Sequence, residues 1–267
     1  VYQCGAEIFH YDLAGETLQK VPLKLRAGGF GRLRKFAVGS QYLESYDLHP
    51  KGQAIACTVR GKAVAFYPHE HPVHQLGQAQ GVRYRLATWL PDGERILTVS
   101  DEGGAEHLLI FPWKGGKPRP IRSTPDLGRI VAIEVAPKGN LVALSNHRYE
   151  LWLLDWEKGT ARLWESNAHG RITGMSWSSC GTYLAYSAPT SRLTSQIRLL
   201  HPASEALTPV TEGCFHDVSP HFDPQGRYLY FLSLRTFNPV WDNLFFEMSF
   251  PQGMRPYLVT LRQNLPN

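Results

Sequence analysis

The densest group of possible metal ligands is a six-residue stretch, His69-Glu70-His71-Pro72-Val73-His74. Three imidazoles and one carboxylate within six residues could chelate zinc or nickel. The stretch falls where two apolar runs should turn, and packing would not hold its ligands in place. We therefore favour a solvated turn, and we predict no metal and no cofactor.

A second stretch, His216-Asp217-Val218-Ser219, contains the three residue types of a hydrolytic triad. Neighbouring residues on a strand point to opposite faces, so this adjacency argues against convergence of the three side chains. The sequence also lacks the Gly-x-Ser-x-Gly, His-Glu-x-x-His and Gly-x-x-x-x-Gly-Lys-Ser/Thr motifs. We predict no catalytic residue in this chain, and its place in an enzyme stays open.

A third stretch, Ala27-Gly28-Gly29-Phe30-Gly31, precedes Arg32-Leu33-Arg34-Lys35 and could cradle a phosphate with backbone N–H groups and cations. Such a cradle normally opens a helix. The next recognisable element is a strand, so we favour a linker.

Five short turns, each closed by a glycine just before an apolar run, indicate the elements that position these residues. They are His49-Pro50-Lys51-Gly52, Leu90-Pro91-Asp92-Gly93, Ala136-Pro137-Lys138-Gly139, Ser178-Ser179-Cys180-Gly181 and Asp223-Pro224-Gln225-Gly226. Successive glycines lie 41, 46, 42 and 45 residues apart. A period in the forties, with runs too short for helices, is typical of four-stranded propeller blades. The predicted fold is an all-β propeller of four-stranded antiparallel blades.

We expect one propeller domain over residues 1–267, with a partial blade at 1–25 and a linker at 26–42. Complete blades are predicted at 43–77, 83–123, 130–166, 172–213 and 217–262, and the third strand of the last one at Phe245–Phe250. Five complete blades and a partial one indicate a fragment of a seven-bladed ring. Bulky side chains at matching places should pack between blades: Trp89, Trp152, Trp156, Trp164, Trp177, Tyr186 and Tyr230.

Polar residues where a blade's first strand begins are the candidates for binding, because that strand lines the central channel of a propeller. These channel-lining candidates are Arg83, Arg85, Arg171, His216 and Asp217. Their cations could attract acidic groups or the C-terminal carboxylates of short peptides over a distance. The alternative is that they form salt bridges and hydrogen bonds between blades.

Composition excludes several classes of partner. The 28 Lys and Arg exceed the 23 Asp and Glu by only 5, and the charges are spread along the chain, so we expect no nucleic acid. No apolar run approaches the roughly 20 residues that cross a bilayer, so we expect a soluble protein without a membrane partner. Residues 1–5 show neither the basic region nor the long apolar region of a signal peptide. Scattered cysteines indicate reduced, packed thiols: Cys4, Cys57, Cys180 and Cys214.

Several stretches, in the same order, carry a family resemblance. They are Tyr46–Gly52, Val59-Arg60-Gly61-Lys62, Gly81-Val82-Arg83-Tyr84-Arg85, Trp89–Gly93, Val99–Gly104 and Tyr230–Val240. Together they resemble the second, seven-bladed propeller of tricorn protease and its bacterial relatives. The turns at His49 and Ser178 lack the usual Ser-Pro-Asp, which should leave the fold unaffected.

The resemblance implies a noncatalytic module of a large cytoplasmic serine peptidase that trims oligopeptides. In that family the active-site Ser, His and Glu lie in segments after the propellers, near a PDZ-like domain, and no residue of this chain inherits their roles. The implied partners are oligopeptides, the remaining domains of the parent and, through it, further copies. Two alternatives stay open: a TolB-like or WD40-like propeller that binds proteins, and an enzyme whose active site is the propeller itself.

Overall fold

A computed structural model describes residues 1–4, 7–23, 38–78, 80–121, 125–244, 246–250 and 253–263. The chain divides into two compact units, residues 1–39 and 40–267. The only helix among the described residues is a single 3-10 turn, Gly39–Gln41. None of the described helical segments is long and apolar enough to span a membrane. The glycine-rich stretch 27–35 lies outside the described residues.

The first unit is a small antiparallel sheet of three strands, β1 (Tyr2–Cys4), β2 (Glu7–Asp12) and β3 (Thr17–Val21). The apolar runs at Ala6–Tyr11 and Thr17–Leu25 predicted only two strands in this partial blade. The additional strand β1 is three residues long, which is too short to give a periodic pattern. It pairs with β2, and the ring of Tyr2 on β1 stacks on the ring of Phe9 on β2 with a centroid distance of 5.5 Å.

The second unit contains the five blades, and the predicted all-β fold of antiparallel blades is confirmed, with four strands in each of the first four blades and three described strands in the fifth. The first blade is β4 (Leu43–Leu48), β5 (Ile55–Val59), β6 (Lys62–Phe66) and β7 (His74–Leu76). The second is β8 (Tyr84–Trp89), β9 (Arg95–Ser100), β10 (His107–Pro112) and β11 (Arg119–Ile121). The third is β12 (Ile130–Val135), β13 (Leu141–Asn146), β14 (Glu150–Asp155) and β15 (Thr160–Ser166). The fourth is β16 (Thr173–Trp177), β17 (Leu184–Pro189), β18 (Ser195–His201) and β19 (Ala206–Pro209).

The last blade differs from the prediction in its third strand. It is built from β20 (His216–Phe222), β21 (Tyr228–Leu234) and β24 (Met254–Thr260), and β24 pairs with β21 over seven residues. The predicted third strand at Phe245–Phe250 is wrong. The described residues of that region, 246–250, instead include strand β23 (Met248–Ser249), which forms a separate hairpin with β22 (Val240–Trp241). Both segments are apolar, and only the long register with β21 decides which one joins the sheet.

The first strands of successive blades pack against one another, β4 on β8, β8 on β12, β12 on β16 and β16 on β20. This neighbour relation is that of the innermost strands of a propeller. Each of the five also carries a break in its pairing register with the second strand. Such bulges bend a strand and increase its twist, which suits the curved inner edge of a ring.

Apolar clusters fill the space between each blade and the next. Between the first two blades, small side chains of one sheet meet aromatic side chains of the other, for example Ala56 and Ala65 against Trp89 and Phe111. Similar clusters join the second blade to the third, the third to the fourth, and the fourth to the fifth. Burial between sheets therefore holds the second unit together.

The predicted packing of bulky side chains holds where a blade is covered by its neighbour. Trp89, Trp152, Trp156, Trp177 and Tyr186 are buried. Tyr230, by contrast, is exposed, because β21 turns alternate residues toward a face that no described blade covers.

The expectation of packed thiols is wrong for three cysteines, since Cys57 is buried whereas Cys4, Cys180 and Cys214 are exposed.

All five turn glycines adopt a positive φ, between +66° and +80°. The unusual first turn has the same geometry, and its histidine links two blades. The Nδ1 of His49 accepts the N–H of Lys51 at 3.0 Å, so its Nε2 carries the proton and donates to the Gly93 carbonyl at 2.9 Å. The ring of His49 also meets Trp89 edge to face at 4.8 Å. The turn of the first blade is thereby fixed to the turn of the second.

We expect Gly93→Ala to destabilise the fold more than Gly226→Ala. Both glycines have a positive φ, which costs an alanine about 1 kcal/mol. A Cβ at Gly93 would also lie 2.6 Å from Nε2 of His49, whereas a Cβ at Gly226 would meet nothing within 4 Å. Displacing the buried imidazole should add about 1–3 kcal/mol to the loss. Urea unfolding of both variants measures the difference, and equal losses would refute the link through His49.

Candidate functional site

Equivalent positions in the five blades are found by counting back from the turn glycine. Ten residues before it stand Tyr42, Arg83, Arg129, Arg171 and His216, each at or just before the start of a first strand. Three consecutive blades therefore present an arginine at one register position. We call Arg83, Arg129 and Arg171 the arginine rim.

The arginine rim lies at one edge of the blades. In an antiparallel meander the first strand begins where the second ends and the third begins. Arg83 illustrates this, because its backbone N–H donates to Oδ1 of Asp101, just after β9, at 2.7 Å. Its Nη2 lies 3.4 Å from Oε2 of Glu44, and half of its side chain is exposed. Arg129 is 62% exposed at its side chain, and Arg171 is also exposed.

Arg129 was missed by the sequence reasoning, which singled out Arg83, Arg85 and Arg171. Its Nε lies 3.8 Å from Oε1 of Glu106, too far for a strong ion pair. The signal that could have found it was its spacing, because Arg83, Arg129 and Arg171 all precede their turn glycine by the same number of residues.

Arg85 lies deeper and connects two blades. Its Nη1 donates to Oε1 of Glu106 at 2.6 Å, and its Nη2 donates to the carbonyl of Ile130 at 3.1 Å. The N–H of Ile130 in turn donates to Oε2 of Glu106 at 3.1 Å. This is the arrangement described by the interblade alternative, and it joins the second blade to the third.

A cavity of about 370 Å³ opens between the second and third blades at this edge. Its charged lining consists of Arg83, Arg85, Asp101, Glu106, Asp126 and Arg129. A second cavity of about 430 Å³ shares Glu106 and Asp126 with it. Cations and carboxylates alternate here, so the site can contact both a carboxylate and an N–H group of a bound chain.

His216 and Asp217 differ from the arginine rim in their surroundings. Asp217 takes the register position held by Tyr84, Ile130 and Ile172 in other blades, and it is 1% exposed. Its Oδ1 accepts a hydrogen bond from Ser233 and lies 3.6 Å from Nη2 of Arg235, while its Oδ2 has no hydrogen-bond partner among the described residues. Asp217 therefore anchors the interior of the last blade.

The three residue types of a triad do not come together here. Nδ1 of His216 lies 3.3 Å from Oγ of Ser195, which itself donates to the carbonyl of Asp217 at 2.6 Å. Ser219 is exposed whereas Asp217 is buried. Residues two apart on a regular strand share a face, but here the pairing register shifts between Val218 and His221 and Ser219 adopts a φ of +53°. The prediction that His216 and Asp217 line a channel stays a prediction.

In the possible metal-binding stretch, two of the three imidazoles pack against aromatic side chains. His71 lies 4.8 Å from the ring of Tyr67, and His74 lies 5.9 Å from the ring of Trp113. Among the residues described, no three His, Cys, Asp or Glu side chains are grouped so that they could hold a metal ion.

Two carboxylates lie toward the other end of the first strands, five residues before the turn glycine. Asp47 on β4 and Glu134 on β12 line a cavity of about 340 Å³, with Thr88 of β8 between them in blade order. Oδ2 of Asp47 accepts the N–H of Trp89 at 2.7 Å. Burial, together with the Asp47 charge, raises the pKa of Glu134 to about 7, and burial also raises the pKa of Asp47. Glu134 thus carries a proton part of the time at neutral pH.

We expect Glu134→Gln to stabilise the protein at high pH and to have little effect at low pH. The folded-state pKa of Glu134 lies above its ordinary value of 4.5, so folding loses stability as pH rises from 4.5 to about 7. Above that range the substitution should gain roughly 2–3 kcal/mol. Unfolding free energies measured from pH 4.5 to 8.5 test this. Glu70→Gln, at an exposed loop carboxylate, serves as the control, and a gain that does not change with pH would contradict the assignment.

Comparison with known proteins gives the family. A family model described as the tricorn protease second beta propeller domain matches residues 43–267. A tricorn protease homolog of Saccharolobus solfataricus is 33% identical over 98% of this chain and 24% of its own length. Tricorn protease homolog 1 of Streptomyces coelicolor is 33% identical over 100% of this chain and 26% of its own length. The chain spans about a quarter of the length of these relatives.

Solved structures agree on the fold. A crystal structure of tricorn protease superposes with a TM-score of 0.76 at 22% identity, over 98% of this chain and 25% of that chain. A putative TolB from Agrobacterium tumefaciens superposes with a TM-score of 0.56 at 17% identity, over 82% of this chain and 77% of that chain. At these identities the superpositions speak for the fold alone. Because the family model matches most of the chain, the protein belongs to the tricorn protease family as a second β-propeller domain.

Proposed function

We propose that this chain is the noncatalytic propeller of a tricorn-like serine peptidase of the cytoplasm. In this proposal it guides oligopeptides along the axis of the blade ring, while bond cleavage takes place in other domains of the parent. Family membership supports a parent protease, since relatives that carry this domain are named as proteases.

The arginine rim is the observation that carries the guiding role. Three guanidinium groups recur at one register position and at one edge of consecutive blades, and the rim side chains are half or more exposed at Arg83 and Arg129. Arginine cannot lose its charge in a protein, so the rim stays positive over the physiological pH range. Carboxylates of a peptide, including its C-terminus, are the groups that such a rim attracts.

The attraction acts at a distance and does not require a fixed binding geometry. Exposed unit charges interact by only about 1 kcal/mol at 4 Å in water, and salt screens them beyond about 8 Å at physiological ionic strength. Nearby carboxylates such as Glu44 and Glu106 offset part of the positive charge. The expected effect is therefore a faster encounter with acidic peptides, and it should weaken as salt is added.

Replacing Arg83, Arg129 and Arg171 together with Gln in the full-length protein should reduce kcat/KM on acidic peptides by about threefold to tenfold at low salt. Neutral peptides of the same length should be cleaved as before, because they gain little from the rim. Arg85 is left intact since it ties two blades together.

A matched control removes three cations from turns at the opposite edge, in Lys51→Gln, Lys138→Gln and Lys158→Gln. This control variant has the same net charge as the rim variant. It should leave kcat/KM unchanged on both acidic and neutral peptides. Equal values of kcat/KM for the rim variant and the parent on acidic peptides would reject the guiding role.

A further inference from the structure

The connection between the second and third strands of the last blade is much longer than its counterparts. In the first four blades this connection takes between two and six residues, whereas β21 and β24 are joined by residues 235–253. The described part of this excess contains the hairpin of β22 and β23. We call its described residues 237–244 and 246–250 the apolar arm.

The apolar arm exposes more large apolar side chains than a solvated loop should. Seven of its described residues are large, apolar and exposed: Phe237, Val240, Trp241, Leu244, Phe246, Met248 and Phe250. Phe237 is 81% exposed and Leu244 is 76% exposed. Hydrophobic surface of this density marks an interaction site.

The arm has a defined conformation in which these side chains are displayed. The N–H of Asp242 donates to the carbonyl of Glu247, and the N–H of Phe246 donates to the carbonyl of Asp242, both at 2.9 Å. The rings of Phe237 and Phe250 meet at 4.8 Å across the base of the hairpin. At that base the arm continues into the exposed residues Leu234 and Met254 of the blade itself.

Charge indicates the chemistry of the occupant. Residues 236–254 contain two carboxylates, Asp242 and Glu247, and no Lys or Arg, although the chain as a whole is basic. A surface that covers the arm should therefore be apolar with cations at its border. The rest of the parent polypeptide is the nearest source of such a surface, because about three quarters of the length of the relatives lies outside the part that matches this chain.

We propose that the apolar arm docks on a part of the same polypeptide that lies outside residues 1–267. The arm leaves the last blade at the edge where the arginine rim lies, since both sit where first strands begin and second strands end. The segment that binds the apolar arm is therefore held beside the arginine rim. The proposal does not depend on whether the rim guides peptides.

Photo-crosslinking in the full-length protein tests the proposal. Trp241 is replaced by p-benzoyl-phenylalanine, which keeps an aromatic side chain on strand β22 of the arm. The control carries the same group at Leu193, which is 82% exposed in the corresponding loop of the fourth blade. An equal mixture of unlabelled and ¹⁵N-labelled protein distinguishes links within one molecule from links between two.

The expected result is a cross-link from position 241 to a segment of the same molecule outside residues 1–267, in higher yield than any from position 193. Links between labelled and unlabelled copies would overturn the proposal in favour of a dimer contact. Links confined to residues 1–267, or a yield at 241 no higher than at 193, would overturn it as well. In the unmodified protein, amide exchange over 237–250 should be slowed, and Trp241→Ser with Phe246→Ser should abolish that protection.

Discussion

Burial of apolar side chains between consecutive blades is the constraint on which the rest of the structure depends. A single four-stranded blade exposes two faces and cannot cover either one by itself. The first two blades solve this by pairing small side chains such as Ala56 and Ala65 with the rings of Trp89 and Phe111. Where no described blade follows, as on β21, the same alternation leaves Tyr230 and Leu232 exposed.

This packing fixes the register of every first strand relative to its neighbours. A residue type that recurs at one distance from the turn glycine is therefore repeated in space at one edge of the ring, which is how the arginine rim arises. Where the residue type at a given register position differs between blades, the structural role of that position differs too. Asp217 stands where other blades bury Tyr84 or Ile130, and it is held by Ser233 and Arg235 in the interior.

The first strands also separate charge along their length. Arginines stand just before β8, β12 and β16, and the carboxylates of Asp47 and Glu134 stand on β4 and β12, five residues beyond the rim position, which is about 16 Å in an extended strand. Partial burial raises the pKa of Glu134, so the negative end weakens near neutral pH while the arginine end does not. Among the five first strands, only β12 carries both of these charges, a permanent positive end at Arg129 and a titratable negative end at Glu134.

The sequence by itself determined the repeat, because glycine at a positive φ and short β-branched or aromatic runs are local properties. It therefore predicted the all-β blades, and its motifs carried the family resemblance. Tertiary structure alone decided which segment joined β21, since β24 and Phe245–Phe250 are both rich in apolar residues and only long-range pairing separates them. It also decided that Arg85 ties two blades while Arg83 stays half exposed, and that Asp217 is buried. Burial and ion pairing depend on which distant residues pack nearby, and spacing along one chain does not contain that information.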